Sequence, residues 1–189
     1  MRRTALGSGP EPRHTRRMIS AYAPAASRAR GAPPPAANRH EPAVDAPPSA
    51  DAALRTDPVV WLGTVRADGR PHLVPIWFHW DGHQLVAFSK PHARKVENLR
   101  DEPRVMLAVG TPGPDFEVEL IEAVAELPEA PAAAVMPDGF ADKYRNLLRR
   151  AGITAQRFAE VYSQAIILRP TRFLGYGGPG WAGAPGTVT

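Results

Sequence analysis

A dense group of polar and basic residues occupies Ser89 to Leu99, where a predicted strand runs into a predicted helix. The segment holds two of the three lysines in the chain, Lys90 and Lys95, together with Arg94. The first turn of a helix carries free N–H groups and a partial positive charge, and cationic side chains add charge-assisted hydrogen bonds. This pattern predicts a seat for phosphate or another anionic group. A solvated, charged helix face is the alternative, and charge alone favours it.

Three other patterns indicate less. The run Gly175 to Gly180 satisfies G-x-G-x-x-G, but no βαβ unit surrounds it and too few residues follow it to form a helix, so we reject a dinucleotide site. His79 and His83 flank a turn without a third ligand at metal-site spacing, so we expect no metal. Neither Ser89, Ser163 nor the histidines lie in a nucleophile elbow or triad context, so nothing favours a hydrolase, and we name no catalytic residues.

The elements that must position the basic segment are short β-rich runs, which begin after Asp57. Asp68-Gly69 and Asp81-Gly82 are strong hairpin turn signals between apolar runs. A helix is expected from Pro91 to just before Pro103, and two more carry apolar stripes around Tyr144 and Phe158, the second capped by Thr154. The predicted strands are 58–65, 71–80, 84–88, 104–109, 116–127 and 164–176.

The run 116–127 alternates between apolar and polar residues but changes phase partway. Phe116, Val118 and Leu120 share one face, whereas the apolar residues from Ile121 onward share the other. A bulge near Leu120 would turn both sets inward and curl the sheet toward closure. The first strand is apolar on both faces, as in a strand buried on both sides. These patterns predict a mainly β, α+β protein: a β-barrel with a few short helices.

Composition divides the chain of 189 residues into one domain and two tails. Residues 1–50 are rich in Pro, Ala and Arg and are predicted to be disordered, or partly untranslated if the start lies at Met18. Residues 51–178 form the predicted barrel domain and 179–189 a flexible tail.

The chain has no cysteine, which excludes disulfides and thiolate chemistry. No apolar run is long enough for a signal peptide or a membrane span, so we expect a cytoplasmic protein that binds no membrane.

The high pI of 9.8 comes from the N-terminal tail. Residues 1–50 hold eight Arg against three acidic residues, whereas residues 51–189 hold fifteen basic and sixteen acidic residues. A fold that binds nucleic acid concentrates basic residues on the fold itself. We therefore expect no nucleic-acid partner.

The order of these segments resembles the pyridoxamine 5′-phosphate oxidase-like split β-barrel superfamily, and within it the branch of oxidoreductases that use the deazaflavin coenzyme F420. The resemblance covers about residues 52–176, and the ordered set of motifs carries it. The motifs are Trp61-Leu62-Gly63-Thr64-Val65, Asp68-Gly69-Arg70-Pro71, Pro75-Ile76-Trp77-Phe78, Ser89 to Leu99 and Asp101-Glu102-Pro103-Arg104-Val105.

The resemblance implies a homodimer with the cofactor at the interface and a small organic molecule as substrate. In that family an Arg-Lys pair holds the cofactor phosphate beside a hydroxyl residue at a strand end, while the ring system lies along the second strand. The apolar surface of the strands, larger than one small barrel can bury, independently favours self-association. The residues implied in cofactor binding are Val74, Pro75, Ile76, Trp77, Ser89, Lys90, Arg94, Lys95 and Asn98.

One departure from the family pattern bears on the choice of cofactor. Pyridoxamine oxidases proper carry a basic residue at each end of the second strand, but Leu73 to Phe78 contains neither Arg nor Lys. We therefore expect F420-dependent hydride transfer rather than vitamin B6 oxidation. The alternatives are an FMN-dependent oxidase or reductase of the same fold and a non-catalytic flavin- or haem-binding protein.

Overall fold

The computed structural model describes residues 44–110 and 117–176. The predicted tail at 179–189 lies outside these residues, as does most of the predicted tail at 1–50. The elements in chain order are α1 (Pro48–Thr56), β1 (Val60–Val65), β2 (Pro71–Ile76), β3 (Phe78–Trp80), β4 (Leu85–Ser89), α2 (Arg94–Asp101), β5 (Arg104–Val109), β6 (Val118–Glu126), α3 (Ala132–Val135), α4 (Asp138–Ala151), α5 (Ala155–Val161) and β7 (Gln164–Tyr176).

The seven strands form one antiparallel sheet in the order β2-β1-β5-β6-β7-β4-β3. Its two outer strands, β2 and β3, are consecutive in the chain and are separated by Trp77 alone. The sheet must therefore curl until its two edges meet at that residue. The fold is α+β and mainly β, a split β-barrel. The single strand predicted at 71–80 is wrong in one respect, because it divides at Trp77 into two strands with different partners.

Both predicted hairpins are present, and each turn places a glycine at positive φ. Gly69 has a φ of 84° in the turn between β1 and β2, and Gly82 has a φ of 103° between β3 and β4. L side chains rarely adopt this backbone conformation, which explains why Asp-Gly pairs predicted the turns. The Asp81 carboxylate also accepts hydrogen bonds from the backbone N–H groups of His83 and Gln84, both at 2.8 Å.

Strand β6 does not change phase as predicted. Alternate residues from Glu119 to Ala125 are buried along its whole length, so Val118 and Leu120 lie on the opposite, half-exposed face. Glu119 is therefore buried among apolar residues of the same face, which a search for alternating apolar residues could not predict. Phe116, the first residue of the predicted alternation, lies outside the described residues.

The bulge that was predicted near Leu120 lies instead on β7. The register with β6 shifts between Glu122 and Ala123, whose partners are Arg172 and Pro170, so Thr171 is the extra residue. Proline cannot donate a ladder hydrogen bond, which makes this the point where the strand pairing is easiest to interrupt. The irregularity in the β6–β7 pairing thus belongs to the final strand.

The barrel interior holds the main apolar cluster, which includes Leu62, Phe78, Leu107, Ile121 and Leu168. Strand β1 contributes alternate residues to it, and its other face is exposed rather than buried as predicted. A second apolar cluster lies where helices α4 and α5 cover β4 and β7. The predicted stripes supply it, and the Thr154 hydroxyl caps α5 by accepting from Arg157 N–H at 3.1 Å.

Tyr144 of α4 fastens the helices to the closing edge of the barrel. Its fully buried hydroxyl accepts from the Phe78 N–H at 2.8 Å and lies 2.8 Å from the Pro58 carbonyl oxygen and 2.9 Å from that of Phe78. Phe78 follows the bend at Trp77, and Pro58 precedes β1. One side chain thus joins α4 to both sides of the barrel closure.

Helix α1 begins at Pro48, three residues before the predicted domain boundary at 51. Its Ala50 and Leu54 are fully buried, and its Asp51 accepts a hydrogen bond from the indole of Trp80 at 2.8 Å. With one large apolar residue in the helix, the sequence carried almost no periodic signal. None of the described helices is long and apolar enough to span a membrane.

Candidate functional site

The basic segment predicted from the sequence lies at the junction of β4 and α2. Ser89 ends β4, and α2 begins at Arg94. Lys90 is exposed, and Arg94 is exposed and paired with Glu97 at 2.8 Å. Lys95 is half-buried, and burial lowers the pKa of its ammonium group. Among the described residues, no carboxylate lies within ion-pair distance of Lys95.

Three cations act on His72 of β2. Burial lowers the pKa of its imidazole, and the positive charges of Arg66, Lys95 and Arg94 lower it further, in that order. The hairpin between β1 and β2 therefore brings Arg66 and His72 to the start of α2. Sequence reasoning missed both residues. The turn at Asp68-Gly69 fixes a register in which Thr64 lies opposite His72. This register could have been inferred from the sequence, and it would have drawn attention to the residues that flank the turn.

Two buried side chains connect α2 to this hairpin. Asn98 is 3% exposed, and its amide Nδ2 donates to Thr64 Oγ1 at 2.9 Å. Thr64 is 2% exposed, and its hydroxyl lies 3.4 Å from both the Nδ1 atom and the carbonyl oxygen of His72. Asn98 therefore makes a helix–strand contact, and its predicted contact with a cofactor stays a prediction.

Two polar atoms near this junction are buried without a hydrogen-bond partner in the described residues: Ser89 Oγ and Arg66 Nε. Leaving such an atom unpaired costs about 1–3 kcal/mol, so each one needs an explanation. A bound anionic group offers acceptors for a hydroxyl and a guanidinium. The donor set of Ser89, Arg66, Arg94 and Lys95 thus fits the phosphate of a flavin-type cofactor.

The four residues predicted to line the cofactor ring do not share one face. Val74 and Ile76 point toward the barrel interior, whereas Pro75 lies on the exposed outer face. Trp77 is half-buried, and its ring stacks nearly parallel with Tyr144 at 4.5 Å and with Phe158 at 5.3 Å. Trp77 therefore takes part in the packing of the helices, and the placement of a ring along β2 stays a prediction.

The outer face of β2, β1 and β5 carries most of the large exposed apolar side chains in the described part of the chain. They surround Gly63, whose register partners are Leu73 and Met106. Leu73 is 61% exposed. We call this surface the β1 face; its large apolar members are Trp61, Val65, Leu73 and Met106.

A second polar cluster lies away from α2, in a cleft of about 250 Å³ between α1, β3 and α4. The Lys143 ammonium donates to the Leu54 carbonyl at 3.1 Å and lies 3.6 Å from the centroid of the Phe78 ring. Burial lowers the pKa of Lys143 to about 8, and Asp57 opposes this shift.

The two histidines considered as metal ligands are separated in the fold: His79 lines the cleft, whereas His83 is exposed. The described residues contain no group of three or more potential metal ligands.

Comparisons with known proteins agree with this architecture. The family model described as "Pyridoxamine 5′-phosphate oxidase" matches residues 46–172. No curated protein matches the chain at a significant level. A conserved hypothetical protein from Mycobacterium tuberculosis has 21% identity and a TM-score of 0.56, with 80% of this chain and 97% of that chain covered.

Two further solved structures carry functional names. An FAD-binding protein from Mesorhizobium loti has 20% identity and a TM-score of 0.51, covering 68% of this chain and 90% of that chain. A structure named F420 reductase has 26% identity and a TM-score of 0.49, covering 65% of this chain and 94% of that chain. The family match spans well over half of the sequence and includes the first six strands, α2 and the first part of β7; the chain belongs to the pyridoxamine 5′-phosphate oxidase family.

Proposed function

We propose that this protein is an oxidoreductase that binds coenzyme F420 and reduces or oxidises a small organic substrate by hydride transfer. The observation that carries the proposal is the set of three cations that act on His72, namely Arg66, Arg94 and Lys95, together with the buried Ser89 hydroxyl at the end of β4, which has no hydrogen-bond partner among the described residues. Membership in an oxidase family and an FAD-binding structural relative support a flavin-type cofactor in general.

The cluster binds the anionic part of the cofactor. Lys95 supplies an ammonium group that no carboxylate among the described residues neutralises, and half-burial strengthens its attraction for an anion. Arg66 supplies a guanidinium whose Nε needs an acceptor. Arg94 starts α2, where the free N–H groups of the first helical turn add a partial positive charge.

A bound deazaflavin supplies the hydride chemistry itself, so the protein must bind and orient it and shape its surroundings. The buried Asn98–Thr64 hydrogen bond joins α2 to the β1–β2 hairpin, so it fixes the position of the anion-binding groups of α2 relative to those of the hairpin. We assign no general acid or base.

The choice of deazaflavin over FMN rests on β2. The segment from Leu73 to Phe78 offers no cation, so a short, doubly charged flavin phosphate lacks the ligands that the family uses there. A longer anionic tail reaches Lys90, Arg94 and Lys95 through several weaker contacts. FMN is the second candidate, and one observation favours it: Arg66, in the turn between β1 and β2, brings to the site a cation that β2 lacks.

We also propose that the protein is a homodimer through the β1 face. Leu73, Met106 and Trp61 are exposed apolar side chains on one face of paired strands, and a symmetric pair of chains buries this face against itself. Leu73→Asp places a charge at its most exposed point and should convert the dimer to a monomer in light scattering. A wild-type protein that is monomeric at micromolar concentration contradicts this part of the proposal.

The cofactor proposal is tested by titrating the full-length protein with F420 and with FMN at moderate salt. We expect F420 to bind more tightly, with an affinity that falls as salt rises. Replacing Lys95 or Arg66 by Ala removes a charge-assisted bond worth about 1.5–3 kcal/mol, which corresponds to a roughly 10- to 150-fold weaker affinity.

Arg150→Ala is the matched control, because Arg150 is an exposed arginine on α4 and should leave the affinity unchanged. Tenfold tighter binding of FMN than of F420 would overturn the choice of cofactor. Equal affinities in the wild type and both cluster variants would overturn the anion site.

A further inference from the structure

The Thr64 hydroxyl lies between a buried amide and an imidazole. Asn98 Nδ2 donates to Thr64 Oγ1 at 2.9 Å and so uses one of the two lone pairs of that oxygen. The hydroxyl hydrogen and the second lone pair remain. His72 offers two groups to them, its Nδ1 atom and its carbonyl oxygen, each 3.4 Å from Thr64 Oγ1.

We infer that His72 is an anion-binding residue that takes up one proton from solvent when the anion binds, and that Thr64 and Asn98 position its ring for both charge states. The inference deepens the proposed function, since it concerns the same anion site. It does not depend on which cofactor supplies the anion.

The hydroxyl can satisfy both charge states of His72 without a movement of the ring. In the neutral state the Thr64 hydroxyl donates its hydrogen to Nδ1, and the ring proton is on Nε2. In the charged state Nδ1 also carries a proton and donates to the second lone pair of Thr64, while the hydroxyl hydrogen turns to the His72 carbonyl. In both states Nε2–H is left to donate to a bound anion.

The charges around His72 couple its protonation to anion binding. Arg66 acts on it from the turn that follows β1, and Arg94 and Lys95 act on it from α2. Glu97, the acidic residue in the first turn of α2, is paired with Arg94 at 2.8 Å. Without an anion, burial and these three cations lower the pKa of His72, which favours the neutral imidazole. An anion compensates the cations, so the charged imidazole becomes favourable.

The test uses inorganic sulfate, which stays a dianion between pH 5.5 and 8.5 and so adds no titration of its own. We expect sulfate affinity to rise as pH falls from about 8 to about 6, by up to about tenfold per unit for one linked proton. In NMR titrations the midpoint of the His72 ring resonance, identified by its loss in His72→Gln, should move upward when sulfate saturates the protein.

Substitutions at His72, Thr64 and Asn98 distinguish a role in positioning the His72 ring from a general role in the stability of the fold. His72→Gln should bind sulfate with an affinity that changes little with pH. Thr64→Ser keeps the hydroxyl and should retain the pH dependence, whereas Thr64→Val should lose most of it. If Thr64→Val does not fold, Asn98→Ala replaces it in the comparison, because this variant removes the amide that fixes the orientation of the Thr64 hydroxyl.

Three results overturn the inference: no sulfate binding, a His72 midpoint that sulfate does not move, or the same pH dependence in His72→Gln as in the wild type. Binding of F420 or FMN with no effect on His72 removes the inference and leaves the proposed function. A sulfate-linked shift of His72 with no binding of either cofactor removes the proposed function and leaves the anion site.

Discussion

The hydroxyl of Tyr144 gives a sharp test of how the barrel is closed. Tyr144→Phe removes one oxygen and keeps the ring that stacks on Trp77 at 4.5 Å. The buried Phe78 N–H then loses its partner, at a cost of about 1–3 kcal/mol. The Pro58 and Phe78 carbonyls lose a shared donor, which adds less because a carbonyl oxygen has a second lone pair. We expect a total loss of about 2–3 kcal/mol.

Urea denaturation followed by circular dichroism measures this loss, and an unchanged m value shows that the two states are the same in both proteins. For a domain of this size the loss corresponds to a fall in Tm of about 5–10 °C. Tyr162→Phe is the control: Tyr162 stacks on Phe158 at 4.6 Å, and its hydroxyl makes no hydrogen bond within the described residues. It should change stability by less than about 0.5 kcal/mol. Equal losses in the two variants would refute the assignment of Tyr144 to the barrel closure.

Two further predictions concern the cleft between α1, β3 and α4. The ammonium of Lys143 has a pKa of about 8 in the fold against 10.5 when free, so the unfolded state binds more protons between these values. The free energy of unfolding of the wild-type protein should therefore rise as pH rises from about 8 to 10.5. Lys143→Met should lack this gain, and identical curves of stability against pH for the two proteins would contradict the prediction. Gly139→Ala would place a methyl carbon 2.5 Å from His79 Cε1 and should cost about 1–3 kcal/mol, although alanine usually stabilises a helix relative to glycine. In a His79→Ala background the same substitution should be neutral or stabilising, and an equal cost in both backgrounds would locate the strain elsewhere.

The parts of the fold with a local chemical cause were predictable from the sequence. Asp68-Gly69 and Asp81-Gly82 gave two hairpins because positive φ favours glycine, and Thr154 marked the start of α5 because its hydroxyl can satisfy a free N–H group. The resemblance to split barrels supplied the global topology, which local periodicity could not, since strand order depends on pairing between distant segments.

The errors have non-local causes. Trp77 reads as an ordinary strand residue, and only the closure of the barrel turns it into a break. The bulge was predicted on β6 because its apolar pattern shifts, but the buried Glu119 keeps the alternation regular and the extra residue is Thr171 on β7.

The basic segment of the candidate site could be predicted from the sequence, and the hairpin opposite it could not. Lys90, Arg94 and Lys95 are neighbours in the chain, whereas Arg66 and His72 approach them only in three dimensions. A histidine and an arginine flanking a turn carry no signal of their own. Their role follows from the cross-strand register and from the contact of α2 with β1.

The strand order also determines when the barrel can close during synthesis. Strand β7 is the last in the chain, yet it lies between β6 and β4 and joins two groups of strands that otherwise share no hydrogen bonds in the sheet. Until residues 164–176 leave the ribosome, β4 and β6 each present an unpaired edge, and such edges invite pairing with other chains. A nascent chain of this protein therefore remains open to aggregation until its final strand emerges, and helices α4 and α5, made just before it, have only part of their apolar support at that stage.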